Sequence, residues 1–249
     1  MPSRPLFRMC GKHTSKKHDP WIQMKPVFVS CFNSGFGDLG ENLIRSFEVN
    51  APDCRLEVFN LDDFYGQKEA KYGEDRFNKI TLGKLNIIKN SLKKHDFIHF
   101  LDADCACLEE PTGTYWDDCY NSDFVFQKDC PCDEPGCTGK NTLHPWLCTG
   151  NFTIRNTERA IKMLDDLIWM MGVNYTSNDQ ECLRFYIRDR GGAVKFSQGK
   201  MIAHANDRFV NGHGIKQGLW KGAWIVHANH SVGKESKIEL LKSASAWFL

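Results

Sequence analysis

From Arg76 to Lys94 the residues Phe77, Thr81, Leu85, Ile88 and Leu92 recur at steps of four, four, three and four, which lines them up on one face of an α-helix. Directly behind them stand Phe97-Ile98-His99-Phe100-Leu101, a short and largely apolar run of the kind found in strands covered on both faces. A strand buried on both sides needs a layer of helix above and below it. This one junction therefore predicts an α/β fold with a doubly wound, mostly parallel central sheet.

The rest of the chain fits that frame. Val27 to Phe32 reads as a strand, Asn33-Ser34-Gly35-Phe36-Gly37-Asp38-Leu39-Gly40 as a glycine-rich turn, and Glu41 to Val49 as a helix. Leu56 to Leu61 is the next strand, terminated by Asp62-Asp63. After Pro111 come a strand at Asp123 to Gln127, a Cys-, Pro- and Gly-rich loop over 128–148 and a strand at Phe152 to Arg155. Helices follow at Glu158 to Met171 and Asn178 to Arg188, then a strand at Trp224 to Ala228 and a closing helix at Lys237 to Ser243. Residues 1–24 carry Lys, Arg, His and Pro without periodicity and read as a loosely ordered basic extension, leaving 25–249 as a single domain.

Charge and composition exclude several classes. With 32 Lys+Arg against 31 Asp+Glu, the chain has no global field to draw it to nucleic acid or an anionic membrane, so an anionic ligand must be held locally. No run approaches the ~20 apolar residues of a membrane span, and no apolar leader opens the chain. A cytoplasmic location is the expectation. Eleven cysteines, an odd count in a chain of this length, point to mostly reduced thiols. Sequons at Asn151, Asn174 and Asn229 carry little weight without a secretion signal.

The chemistry concentrates at Asp102-Ala103-Asp104, at the C-terminal end of the buried strand, where open α/β sheets place their ligand crevice. If the backbone stays extended through Asp104, the period of two turns both carboxylates to one side and makes a hard oxygen site for Mg²⁺ or Mn²⁺. Two aspartates rarely bind a cation tightly alone, so a phosphate-bearing ligand would complete the shell. The plain alternative is a pair of turn formers capping a strand. Gly35 to Gly40 also satisfies a G-x-G-x-x-G string, but the acidic pair at Asp62-Asp63 lies too far on for a dinucleotide fingerprint.

The segment Lys84 to Pro111, together with the tail His227-Ala228-Asn229-His230-Ser231-Val232-Gly233-Lys234-Glu235-Ser236-Lys237, resembles the nucleotide-diphospho-sugar transferase family of GT-A glycosyltransferases, which includes plant cell-wall xylosyltransferases and, more distantly, glycogenin-like enzymes. The resemblance implies a GT-A (Rossmann-like) fold and metal-dependent transfer of a sugar from a nucleoside-diphosphate sugar, UDP-linked by preference, to a glycan or protein hydroxyl with retention of configuration. Carried over residue by residue, Asp102, Asp104 and His227 become the metal ligands, with His230 the rival for the third place. Lys237 and Gly233 meet the diphosphate. Lys84 reaches the nucleotide, and Asn33, Ser34 and Gly35 lie where the base and ribose bind. Thr149-Gly150-Asn151-Phe152 resembles a loop near the sugar, with Gly150 and Asn151 as donor contacts, and Asn178-Asp179-Gln180 resembles the Asp-Gln pair of the reacting centre. Helix capping by Asn178 or Asp179 competes with that last role.

Three further expectations remain. Cys130, Cys132, Cys137 and His144 form a weak zinc pattern, free thiols or a disulfide being the better reading. Trp116, Trp146, Trp220 and Trp224 are candidate platforms for an acceptor sugar, with core packing the default. A nucleotidyltransferase, or a nucleotide-sugar-binding module without turnover, is the rival function. The first would want a basic glycine-rich loop, and Asn33 to Gly40 has no Lys or Arg.

Overall fold

The computed structural model describes residues 25–70, 73–112, 115–129, 147–173, 178–189 and 201–249. Its main sheet has six strands: β1 (Val27–Phe32), β2 (Leu56–Asn60), β3 (Phe97–Leu101), β5 (Phe124–Lys128), β6 (Leu147–Arg155) and β7 (Ile202–His204), in the order β2-β1-β3-β6-β5-β7. β1 is parallel to β2 and β3, β5 is parallel to β7, and β6 runs antiparallel to both of its neighbours. A second sheet of β4 (Cys105–Cys107), β8 (Phe209–Val210) and β9 (Ile225–His227) has the order β4-β9-β8.

The buried strand at the centre behaves as its composition requires. All five residues of β3 are buried, and their side chains alternate between two cores: Ile98 and Phe100 face one, Phe97 and Leu101 the other. β5 repeats the alternation with Phe124 and Phe126 on the first side and Val125 on the second. The first core is closed by α3 (Asp75–Leu92), α5 (Glu158–Val173) and α6 (Asp179–Asp189), through Leu85, Ile88 and Leu92 of the expected stripe and Met163, Leu164 and Leu183 opposite. The second is closed by α1 (Gly37–Asn50) and α4 (Tyr115–Tyr120). α7 (Gly212–Lys216) and α8 (Lys234–Ser243) flank the small sheet through a third cluster containing Val226, Leu240 and Leu241.

Several boundaries differ from the sequence reading. Helix α1 begins at Gly37, so the second half of the glycine-rich turn is already α-helical after the short 3₁₀ turn Ser34–Phe36. Asp62 and Asp63 open a one-turn helix, α2 (Asp62–Tyr65), with Asp62 braced by Ser34 and Asn60. The stretch between Pro111 and Asp123, for which the sequence suggested no element, holds α4, whose Trp116 packs edge-on against Phe28, Phe97 and His99. Trp116 and Trp224 are therefore core residues and offer no face to an acceptor. Trp146, Asn174 and the Cys130, Cys132, Cys137 and His144 pattern lie outside the described residues. Cys31, Cys54, Cys105, Cys107, Cys119, Cys148 and Cys182 are free thiols. Among the described residues, no helix is long and apolar enough to cross a membrane.

The single polar residue of β3 is also placed by this packing. His99 is stacked on Phe209 and meets the Asn151 Oδ1 at 2.7 Å, and burial pushes its pKa down to about 3, so the ring is neutral.

Candidate active site

β1, β3 and β5 point the same way, so their C-terminal ends open on one edge of the sheet. A cleft of about 620 Å³ lies there, lined among others by Asn33, Lys84, Asp102, Asp104, Asp129, Gly150, Asp179, His227 and Lys237. Asp102, Asp104 and His227 each offer a ligand atom, and these atoms lie within 4.8 Å of one another.

The two carboxylates do not converge in the way the alternation of a strand suggests. The chain turns at Asp102, where the Cys105 N–H donates to the Asp102 carbonyl at 3.1 Å, and leaves for the second sheet through β4. The paired register Cys105↔His227 then brings β9 alongside, and the Ala228 N–H donates to the Asp104 carbonyl at 2.9 Å. The third member of the group, remote in sequence, is thus delivered by sheet pairing. His230 is not delivered to it: its backbone turns to φ 57°, and its Nε2 faces the Asp129 carbonyl at 2.9 Å and Oδ1 at 3.2 Å.

Two lysines bracket the group. Lys84 is only 5% exposed, and its Nζ lies 3.2 Å from Asp102 Oδ1, 2.6 Å from Asp179 Oδ2 and 3.2 Å from the Thr149 carbonyl. Burial works against its ammonium, but the carboxylates of Asp102 and Asp179 outweigh it and hold the pKa well above the usual lysine value. Lys237 pairs with Asp104 Oδ2, while His227 Nε2 lies 3.3 Å from Asp104 Oδ1. Burial would raise the Asp104 pKa, yet Lys237 and His227 more than offset it and keep this carboxylate ionised far below its ordinary range. Each aspartate so has one oxygen tied by a lysine and a second turned elsewhere.

Gly150 shows what occupies that second side. A Cβ at this position would lie 2.4 Å from Asp102 Oδ2 and 2.5 Å from His227 Cε1, so a side chain is excluded by the ligand group itself. Thr149-Gly150 belongs to β6 and is not a free loop; the Asp102 N–H donates to the Gly150 carbonyl at 2.7 Å. Replacing Gly150 with alanine is expected to push Asp102 and His227 apart, at a cost of about 1–3 kcal/mol in overpacking and with loss of any bound cation. Urea denaturation with a parallel Mn²⁺ titration checks both effects; unchanged Mn²⁺ affinity would contradict the geometry.

The remaining candidates divide. Asp179 and Gln180 open α6, where Asn178 caps the helix by accepting from the Glu181 N–H at 3.0 Å; capping and a place in the cleft coexist in this segment. Asn33 reaches the cleft with its amide held by the Gly66 and Lys68 carbonyls, both at 2.8 Å. Ser34 is instead exposed and bound to Asp62, and Gly35 packs so tightly on the Lys68-Glu69 backbone that a Cβ would meet it at 2.3 Å. Asn151 is fully buried with His99 and faces the core, away from the cleft. Gly233, with φ 85°, caps α8 and lets Lys237 return to the site one turn later, whereas Lys234 pairs with Asp38.

Asp129 carries no motif, yet it ties the cleft together. Its carboxylate accepts from Gln180 Nε2 at 2.7 Å and from Asn229 Nδ2 at 2.6 Å, besides its contact with His230. Gln127, two residues earlier, meets His227 Nδ1 at 3.1 Å. The signal available was positional: both follow a buried apolar run, as Asp102 does.

The nucleotide-diphospho-sugar transferase family model matches residues 43–241. The UDP-galactose:fucoside alpha-3-galactosyltransferase of Dictyostelium discoideum is 22% identical over 225 residues, covering 81% of this chain but 34% of that protein, so the chain spans about a third of this relative's length. The fold is similar to that of a glycosyltransferase involved in glycosylation of the major capsid of PBCV-1 (TM-score 0.55, 12% identity, 87% of this chain and 98% of that one). It is similar also to galactosyltransferase LgtC in complex with donor and acceptor sugar analogs (TM-score 0.50, 12% identity, 88% and 95%) and to the glycosyltransferase GlyE of Streptococcus pneumoniae (TM-score 0.52, 14% identity, 88% and 60%). At these identities the structures speak for the fold, which is that of GT-A glycosyltransferases, while the family match speaks for the sequence. With that match running from α1 to α8, the chain belongs to the nucleotide-diphospho-sugar transferase family.

Proposed function

We propose that the chain transfers a sugar from a nucleoside-diphosphate sugar, a UDP-sugar by preference, to a hydroxyl of a glycan or protein acceptor, with Mn²⁺ or Mg²⁺ held by Asp102, Asp104 and His227. The observation that carries this reading is the convergence of those three side chains within 4.8 Å at the ligand edge of the sheet. Two carboxylates and an imidazole suit a hard-to-borderline divalent cation, and the excluded Cβ of Gly150 leaves their inner side clear. A bound cation would supply Lewis-acid neutralisation of the departing diphosphate.

The chain's own residues account for the rest. In transfer the bond from the anomeric carbon to the diphosphate oxygen breaks, the acceptor oxygen bonds to that carbon, and the hydroxyl proton passes to the departing diphosphate or to water. Negative charge grows on the diphosphate, and Lys237 stands at the start of α8 to meet it, together with the backbone N–H groups after Gly233. Lys84 fixes Asp102 and Asp179 in place, so the carboxylates need not reorganise during the step. Asp179 and Gln180 line the same cleft and are the proposed partners of the sugar hydroxyls. Retention of anomeric configuration is part of the proposal and is checked by the anomer of the product.

The test is a thermal-shift series with UDP and GDP in the presence of Mn²⁺ or of a chelator, followed by release of nucleoside diphosphate from a panel of nucleotide sugars. A ligand at 100 times its dissociation constant stabilises by about 2.7 kcal/mol, and the shift is expected with UDP and Mn²⁺ together. Equal shifts with and without the cation would remove the metal from the proposal. Binding without any turnover would leave a sugar-nucleotide-binding module.

A further inference from the structure

The pairing of β5 with β6 is interrupted by a register shift. Phe126 of β5 pairs with Phe152, but the next residue, Gln127, pairs with Cys148, so Thr149, Gly150 and Asn151 have no opposite number in β5. Irregularities of this kind re-aim side chains and cluster beside active sites. Here the shift presents the Gln127 and Cys148 side chains to the same edge of the His227 ring. Gln127 Oε1 lies 3.1 Å from His227 Nδ1, and Cys148 Sγ lies 3.4 Å from the same nitrogen.

Gln127 is fully buried, and its Nε2 has no hydrogen-bond partner among the described residues. A buried amide half-satisfied in this way is poorly suited to a packing role, since an apolar residue of similar shape would avoid the unmet donor. What the amide does provide is an oxygen aimed at one ring nitrogen. A neutral imidazole carries its proton on only one nitrogen, and the partner of that nitrogen decides which. Sulfur is a weak acceptor, so Oε1 is the stronger claim on the Nδ1 proton. With the Nδ1 proton so held, Nε2 is the nitrogen turned to Asp104 Oδ1 at 3.3 Å; the proton it shares with that carboxylate is the one a bound cation would replace.

We infer that Gln127 is the positioning residue of the cation site, accepting a hydrogen bond from His227 Nδ1–H and so holding the ring in the tautomer and orientation in which Nε2 is the ligand. The inference rests on the metal reading proposed above. Partners outside a metal's first shell that orient a ligating histidine typically change metal affinity by about 10- to 100-fold when removed. Gln127→Leu and Gln127→Met are therefore expected to weaken Mn²⁺ binding by that factor, measured as free Mn²⁺ by electron paramagnetic resonance without nucleotide. Their melting temperature should change little, because the unmet amide donor is gone while the His227 Nδ1–H loses its oxygen acceptor. Gln127→Glu keeps an oxygen acceptor and should stay within about threefold of wild type, the expected behaviour of a carboxylate–histidine–metal arrangement.

A merely structural glutamine predicts the reverse: lower melting temperatures in the apolar variants with Mn²⁺ affinity intact, a result that overturns the inference. If His227→Ala weakens Mn²⁺ binding while folded Gln127→Leu or Gln127→Met does not, the role of Gln127 falls and the metal site stands. Absence of Mn²⁺ binding in wild type, with UDP present as well as without it, removes both. An independent readout needs no variant: in the Zn²⁺-loaded wild-type protein, imidazole ¹⁵N shifts should report ligation through Nε2 with a slowly exchanging proton on Nδ1. Ligation through Nδ1 would overturn the assignment.

Discussion

Asp104→Ala is expected to lower the rate of transfer by at least about 10³-fold, in line with the loss of a preorganised charge-stabilising contact in other enzymes. The residue does more than contribute one carboxylate. One oxygen faces Lys237 and the other faces His227 Nε2, so its removal takes away one of the three side chains proposed to hold the cation and unpairs the ammonium proposed to meet the diphosphate. The fold should survive, because Asp104 lies in the turn after β3 and outside the apolar clusters. Initial rates against Mn²⁺ concentration, with circular dichroism as a control, check the prediction. Unchanged activity with unchanged Mn²⁺ dependence would refute the site.

Lys84→Met should have the largest effect on stability. Lys84 is 5% and Asp179 3% exposed, and they stand 2.6 Å apart. Removing one partner of a buried pair leaves an uncompensated charge and typically costs about 3–5 kcal/mol. Activity should fall with it, because Asp102 loses its brace. Urea denaturation of Lys84→Met, Asp179→Asn and the double variant separates the causes. If the penalty is the stranded Asp179 charge, adding Asp179→Asn to Lys84→Met restores part of the lost stability. Additive losses would instead mean that the two side chains act independently.

The α/β class, the helix before β3, the strand itself and the position of the Asp-x-Asp pair were all legible in the sequence, because they rest on local periodicity: steps of three and four for α3, an unbroken apolar run for β3. Lys237 and His227 were reached through the family resemblance, and the structure brings them to Asp104. Local patterns misplaced other residues. Asn151 carries a sequon and a family motif, but strand alternation turns it to the core and His99. Ser34 and Gly35 belong to a glycine-rich turn whose side chains serve Asp62 and the Lys68-Glu69 backbone.

By itself the sequence determined the longer strands and helices, β1, β2, β3, β5, α3, α5 and α6 among them, and which strand end would carry the carboxylates, since hydrophobic period and turn chemistry act over a few residues. Only the tertiary structure decided that Asp102 and Asp104 converge through a turn, that β9 lies against β4 with His227 opposite Cys105, that Lys84 is buried on Asp179, and that a register shift in β6 turns Gln127 toward the histidine. Those contacts join residues 95 to 133 positions apart in the case of Lys84–Asp179 and Asp104–Lys237. They arise from sheet pairing and burial across the whole chain, and no short window of sequence records which distant strand will become the neighbour.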